Sequence, residues 1–150
     1  MNLKDIHTQQ IENLMEYEFS HLVQDSKKEG FNFIIKLINE YKNKINVFNK
    51  TGECLYGIFQ EDTLIGVGGL NEDPYTEDNK IGRLRRFYIS RDYRRIGLGN
   101  VLLNQLLCHA EKYFEVIVLH TDTKQGNAFY TANGFVKGGL YKGSSHYKVL

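Results

Sequence analysis

Leu84-Arg85-Arg86-Phe87-Tyr88-Ile89-Ser90-Arg91-Asp92-Tyr93-Arg94-Arg95-Ile96-Gly97-Leu98-Gly99-Asn100 carries an apolar, aromatic strand into a basic turn and then into a helix. Beyond the glycines, Leu98, Val101, Leu102, Leu106, Ala110 and Tyr113 recur with helical period and predict a helix over 98–114. A helix that opens directly on glycines leaves its first N–H groups without acceptors and places a partial positive charge there. With Arg94 and Arg95 alongside, that end suits a phosphate; the bland alternative is a tight turn that binds nothing. The spacing matches neither the P-loop G-x-x-x-x-G-K-[ST] nor the three-glycine dinucleotide fingerprint.

Working outward, Thr8 to Val23 places Ile11, Leu14, Met15, Phe19 and Leu22 at spacings of three and four, predicting an amphipathic helix. Gly30 interrupts it, and Phe31, Ile34, Ile35, Ile38 and Tyr41 predict a second helix ending near Lys44. Cys54 to Phe59 and Leu64 to Leu70 predict a hairpin around Gln60-Glu61-Asp62-Thr63. A polar loop over 71–79 leads to the strand Gly82 to Ser90. After the long helix come a short buried strand, Val116 to Leu119, and a helix from Gly126 to Asn133 stopped by Gly134. Two last strands, Phe135 to Lys137 and His146 to Val149, follow. No repeat is visible, and the element order predicts one α/β (α+β) domain over 1–150 with a mixed, mostly antiparallel sheet.

The 150 residues sum to a net charge of +1, but the charge is unevenly spread. Residues 1–79 hold 7 Lys against 14 acids, and residues 80–150 hold 12 basic groups against 4 acids, so the halves carry −7 and +8. All six arginines lie between Arg83 and Arg95. A near-neutral total argues against general adhesion to nucleic acid or membrane, while a concentrated basic block suggests one anionic ligand at one place. Two cysteines, Cys54 and Cys108, in unrelated contexts disfavour a disulfide framework and a zinc site. Met1 to Asp5 shows no leader-like apolar segment and the apolar runs are too short for a bilayer, so a cytoplasmic protein with reduced thiols is expected.

The strand Leu84 to Ile89 with Arg94-Arg95-Ile96-Gly97-Leu98-Gly99 resembles the [QR]-x-x-G-x-[GA] turn of the GNAT superfamily of acyl-CoA-dependent N-acyltransferases. Asn127-Ala128-Phe129-Tyr130 followed by Gly134-Phe135 is similar to a second motif of that family, and the element order from about Cys54 to Leu150 follows its fold. The resemblance implies a GNAT-like central sheet flanked by four helices, with acetyl-CoA as co-substrate and no metal. It places the pyrophosphate on Arg94, Arg95, Ile96, Gly97, Leu98, Gly99 and Asn100, the pantetheine arm along the main chain of Phe87, Tyr88 and Ile89, and Asn127 and Phe129 across from it. It makes Tyr130 the acid that protonates the departing thiolate; read without the motif, Tyr130 is a core aromatic on a short helix.

Attack of an amine on a thioester needs a neutral amine held beside it and stabilisation of the oxyanion. Where many members of the family carry a glutamate as base, this chain has Arg83. Glu72 and Asp73 rank first as replacements, with His120, Asp122 or a base-free reaction as alternatives. The loop holding Glu72, Asp73, Glu77, Asp78 and Tyr75 is either a solvated loop or an acidic lip that draws in a cationic amine. Arg83, Arg85 and Arg91 are candidates for pairing with acids of the first half. The expected partner is a small-molecule or peptide amine, with a homodimer left open. The competing functions are a non-catalytic acyl-CoA-binding regulatory module, suggested by Arg83, and a nucleic-acid binder using the arginine cluster, disfavoured by the acidic first half.

Overall fold

The computed structural model describes residues 5–150; Met1 to Lys4, which the sequence reading treats as lacking a leader-like segment, lie outside the described residues. The chain forms β1 (Ile6–Gln10), α1 (Ser20–Lys28), α2 (Phe33–Lys42), β2 (Cys54–Gln60), β3 (Thr63–Glu72), β4 (Ile81–Ile89) and α3 (Leu98–Ala110). It continues through β5 (Val116–Leu119), α4 (Lys124–Ala132), β6 (Val136–Lys137) and β7 (His146–Val149). One seven-stranded sheet runs in the order β1-β2-β3-β4-β5-β7-β6. Neighbours are antiparallel except β4 and β5, so the mixed, mostly antiparallel sheet expected from the element order is present with its four helices.

Period-2 alternation gives the sheet two apolar faces, each covered by helices. On one face Leu102, Leu103 and Leu106 of α3, all fully buried, pack with Leu70, Leu84, Ile117, Tyr130 and Phe135. Each such leucine contributes roughly 1.5–3 kcal/mol by leaving water. On the other face Leu22 of α1 and Ile34, Leu37, Ile38 and Tyr41 of α2 pack on Leu55, Phe59, Leu64, Val67 and Tyr88. The stripe at three- and four-residue spacing is what makes α2 a helix and aims its apolar side at the sheet.

The predicted helix over Thr8 to Val23 does not form. Its first part is β1, which pairs antiparallel with β2 from Ile6 opposite Gln60 to Gln10 opposite Tyr56. A turn of 3-10 helix at Leu14–Glu16 follows, capped by the Asn13 side chain accepting from the Met15 N–H, and α1 begins only at Ser20. The stripe residues Ile11, Leu14 and Leu22 are still buried, as their periodicity demands, but Met15 is exposed. An unsatisfied edge on β2 offers five residues of ladder hydrogen bonding, and that tertiary pairing overrides the local helical pattern.

Both cysteines are free: Cys54 is buried in the α3-side core and Cys108 is exposed on α3. Among the described residues no helix is long and apolar enough to cross a membrane. At Gly69, opposite Arg85 in the β3–β4 ladder, a Cβ would enter the space of the Phe48 ring. Gly69→Ala is therefore expected to lower stability by about 1–3 kcal/mol through overpacking, read as a reduced urea midpoint with unchanged slope.

Candidate active site

The parallel pairing of β4 with β5 lasts only three residues, from Ile81 opposite Val116 to Arg83 opposite Val118. β5 stops at Leu119 while β4 runs on to Ile89, so among the described residues the β5-side edge of Leu84 to Ile89 has no partner strand. Two contributions drive the strands apart. The end of β5 turns toward β7, with Leu119 O accepting from Ser145 N and the Thr121 N–H donating to Ser145 Oγ. β4 itself carries a bulge: Arg86 and Phe87 together face Gly68, and Arg86 adopts a left-handed φ of 57°. A bulge bends and twists its strand.

The resulting cleft has a volume of about 810 Å³, within the size range of small-molecule sites. One wall is β4 from Arg83 to Ile89; the other is Leu119 to Thr123 with Gly126, Phe129 and Tyr130 of α4. Phe31 and Phe33 close one side, and Arg94, Arg95, Gly97, Gly99 and Asn100 form the end. There Gly97, with φ 86°, starts α3, and no side chain caps the helix. The first intrahelical bond is from Val101 N to Gly97 O, which leaves the amides of Leu98, Gly99 and Asn100 free to point at an anion. A side chain at Gly97 would meet no atom, but its left-handed backbone favours glycine.

Arg94 and Arg95 differ. Arg94 makes a two-pronged ion pair with Glu29, each contact 2.8 Å, donates to Ile89 O, and lies 5.1 Å over the Tyr88 ring. Its guanidinium is committed to holding the turn against α1. Arg95 is exposed, has a φ of 63°, and keeps its charge at the mouth of that end. Arg91 also pairs with Glu29, at 3.8 Å. Asp25 ties the same region down, accepting from Ser90 Oγ and Arg91 N; burial alone would raise its pKa, but these bonds hold it below the usual carboxylate range.

Tyr130 reaches the cleft wall from a ring cluster formed by Phe87, Phe129 and Phe135 at centroid distances of 6.1, 5.1 and 5.6 Å. Burial pushes its phenol pKa well above the ordinary value, so it stays protonated at neutral pH. Phe129 also touches the α3 start, where a Cβ on Gly99 would stand 3.1 Å from its ring. Asn127 is turned away: its Oδ1 meets His146 Nε2 at 2.8 Å, while His146 Nδ1 meets Ser145 Oγ at 2.8 Å. Because Ser145 Oγ already accepts from Thr121 N, the consistent network has Ser145 donating to Nδ1 and Nε2–H donating to Asn127. Asn127 thus fixes α4 to β7 and does not line the cleft.

The structure does not bring Glu72 and Asp73 into the cleft. Asp73 is buried and accepts from Arg83 Nε at 2.9 Å. Arg83 in turn donates to the carbonyls of Gly143 and Lys142 and lies 4.9 Å over Tyr75. An acid this tightly paired inside the protein serves packing, so the acidic-lip expectation is corrected for Asp73 and Tyr75. The backbone of Glu72 donates to Glu53, continuing the ladder end. His120 and Asp122, ranked lower from sequence, do line the cleft. Of the arginines expected to pair with acids of the first half, Arg83 and Arg91 do so and Arg85 does not, while sequence reasoning missed the Arg94–Glu29 pair and the rings of Phe31 and Phe33, which lie beside Tyr88 at 6.4 and 5.8 Å.

Residues 12–135 match the sequence profile of the Acetyltransferase (GNAT) family. The chain belongs to that family. A probable spermine N(1)-acetyltransferase of Bacillus subtilis subsp. natto (strain BEST195) is 42% identical over 69 residues, covering 41% of this chain; the chain spans 45% of that curated relative's length. The fold is shared with a protein of Exiguobacterium sp. 255-15 at TM-score 0.84 and 20% identity, covering 97% of this chain and 93% of that one. It is shared too with the PaiA N-acetyltransferase of Thermoplasma acidophilum, solved with coenzyme A, at TM-score 0.64 and 19% identity, covering 97% and 99%. In this GNAT chain the family turn is the α3 start and the second motif is α4.

Removing Asp73 would leave Arg83 buried without its anion, so Asp73→Ala is expected to cost about 3–5 kcal/mol in chemical denaturation, while the double change Asp73→Leu with Arg83→Met costs much less. Burial, then Lys137 and His120, push the His146 imidazole below its ordinary pKa, so the folded state holds it neutral and the unfolded chain takes up the proton first. Stability is therefore full above pH ~6.5 and falls as pH drops below it, by at most about 1.4 kcal/mol per pH unit for one group. Denaturation curves at pH 7.5 and 5.5 check this, and His146→Gln is expected to flatten the difference.

Proposed function

We propose that the protein is an N-acetyltransferase that transfers the acetyl group of acetyl-CoA to a primary amine by direct attack, with both substrates bound together. The observation that carries this reading is a cleft between an unpaired strand edge and an uncapped helix start, with the Tyr130 side chain on its wall. The donor set fits the co-substrate: an anion-accepting end at Leu98 to Asn100 and a free edge of extended backbone leading away from it.

Bound acetyl-CoA supplies the activated acyl group. The amides over 95–99, with Asn100 and the Arg95 charge, hold the pyrophosphate, while Arg94 shapes the turn through Glu29. The main chain of Phe87, Tyr88 and Ile89 pairs with the pantetheine arm as an added strand, and an N–H on that edge faces the thioester oxygen. Phe129 covers the arm from α4, which Asn127 positions through His146. The amine lone pair forms the C–N bond, the C–S bond breaks, and sulfur takes the Tyr130 proton as negative charge builds on it. The excess proton on nitrogen leaves to water, His120 or Asp122 at the cleft surface, and Tyr130 takes a proton back from solvent before the next turnover.

Purified protein, acetyl-CoA and an amine panel followed by product mass test the reading; coenzyme A binding with no acetylated product from any amine would make the chain a binding module instead. Tyr130→Phe keeps the ring packing and is expected to lower kcat about 10²–10⁴-fold with little change in the KM for acetyl-CoA.

A further inference from the structure

The cleft is lined by five arginines, and their partners differ. Arg83 is neutralised by Asp73, Arg86 by Glu40 at 3.2 Å, and Arg94 by Glu29. Arg95 is exposed at the phosphate end. Arg85 lines the cleft, is only partly exposed, and among the described residues has neither an ion pair nor a side-chain hydrogen bond. Its charge has no ion-pair partner: burial first, then Arg86, outweigh the pull of Glu40, and Arg83 adds a smaller push, so its pKa lies below the ordinary arginine value. Glu40, the acid that attracts it, is already bonded to Arg86. A guanidinium kept partly desolvated between two others carries a standing cost unless an anion arrives.

Position argues against the coenzyme A phosphates as that anion. Arg85 is four strand residues from Ile89, roughly 13 Å along β4 from the turn that opens on the phosphate end. It lies instead two residues from Arg83, the last paired position before the strands part. There the strands begin to part, which on the reading above is where the acyl carbon would meet its acceptor. Alternation with the bulge puts Arg83 and Arg85 on the face of the sheet that carries Tyr88, the same side as α2 and the rings of Phe31 and Phe33. Of the cleft-lining side chains, Asp122 is the carboxylate, and it belongs to the opposite wall, beyond β5.

We infer that the acceptor is an amine that also carries a carboxylate, an amino acid or a short peptide, and that Arg85 binds this carboxylate in a two-pronged pair while the amine faces the thioester. This rests on the acetyltransferase reading above and names its substrate class. A fork of two N–H donors matches a carboxylate in geometry and charge. A polycation such as spermine would bring more positive charge into a wall already bearing one unpaired guanidinium, a repulsion that selects against it.

The test uses the full chain and matched acceptors: lysine against cadaverine and phenylalanine against phenethylamine, with spermine added. Acetylated product is quantified by mass. The wild-type kcat/KM is expected to favour each amino acid over its decarboxylated partner by at least about 10-fold, and Arg85→Gln to reduce that ratio roughly 10- to 100-fold, with Arg85→Lys in between. A wild-type preference for cadaverine or spermine, or an Arg85→Gln ratio equal to the wild-type one, overturns the inference while leaving the acetyltransferase reading intact. A fall in coenzyme A affinity in Arg85→Gln with the ratio unchanged also overturns it, assigning Arg85 to the co-substrate. If no acceptor is turned over, the acetyltransferase reading fails and the inference is decided by calorimetry on the protein–coenzyme A complex. Lysine or phenylalanine binding that Arg85→Gln weakens at least about 10-fold supports it, and no binding of either to wild type overturns it.

Discussion

β4 and β5 travel together for three residues and then separate, and the point of separation is pinned by a buried ion pair. Arg83 belongs to the last paired position. Its guanidinium reaches Asp73 at the end of β3 and the carbonyls of Lys142 and Gly143 in the β6–β7 connection. Three separate stretches of chain are thereby gathered at the apex of the cleft. A hydrophobic residue there could fill the same space without desolvating a charge, but it would not tie the main-chain carbonyls of Lys142 and Gly143 to β4. The arginine that stands at a position often acidic in the family thus holds the walls at their angle.

The uneven charge distribution has its counterpart in three dimensions. Acids of the first half, Glu29, Glu40 and Asp73, neutralise Arg94, Arg86 and Arg83 of the second, so three charges on each side of the −7 and +8 asymmetry are paired within the molecule. These contacts also tie α1 and α2, which lie outside the sheet, to β4 and its turn. What is left over after the internal pairing is more informative than the total: two arginines, one at each end of the cleft wall, whose charge is still available to a ligand.

Much of this was legible in the sequence. α2, α3, β2 to β5 and β7 follow their periodicities closely because each pattern agrees with the burial it receives. β1 was not legible: the pairing that makes it a strand lies some fifty residues away in β2, and local spacing favours a helix. In the site, the glycine turn and Tyr130 could be placed by motif, since both depend on backbone conformation and position along one element. Asn127 could not, because its partner His146 belongs to another strand. Nor could the arginines be sorted, because the bulge at Arg86 shifts the alternation by one residue: Arg83, Arg85 and Tyr88 share a face while Leu84, Phe87 and Ile89 share the other.

The two cysteines occupy opposite chemical situations. Burial pushes the Cys54 thiol up to about 12, so it offers almost no thiolate at neutral pH, whereas Cys108 stands in solvent on the outer side of α3. A thiol-selective reagent would therefore modify the folded molecule once, on a helix whose opposite end leaves its first amides free. That makes Cys108 a natural attachment point for a fluorophore or spin label that senses the α3 start from within the same rigid rod. It also means that a chromogenic count of released coenzyme A includes one fast equivalent from the protein itself, a fixed offset that Cys108→Ser would remove.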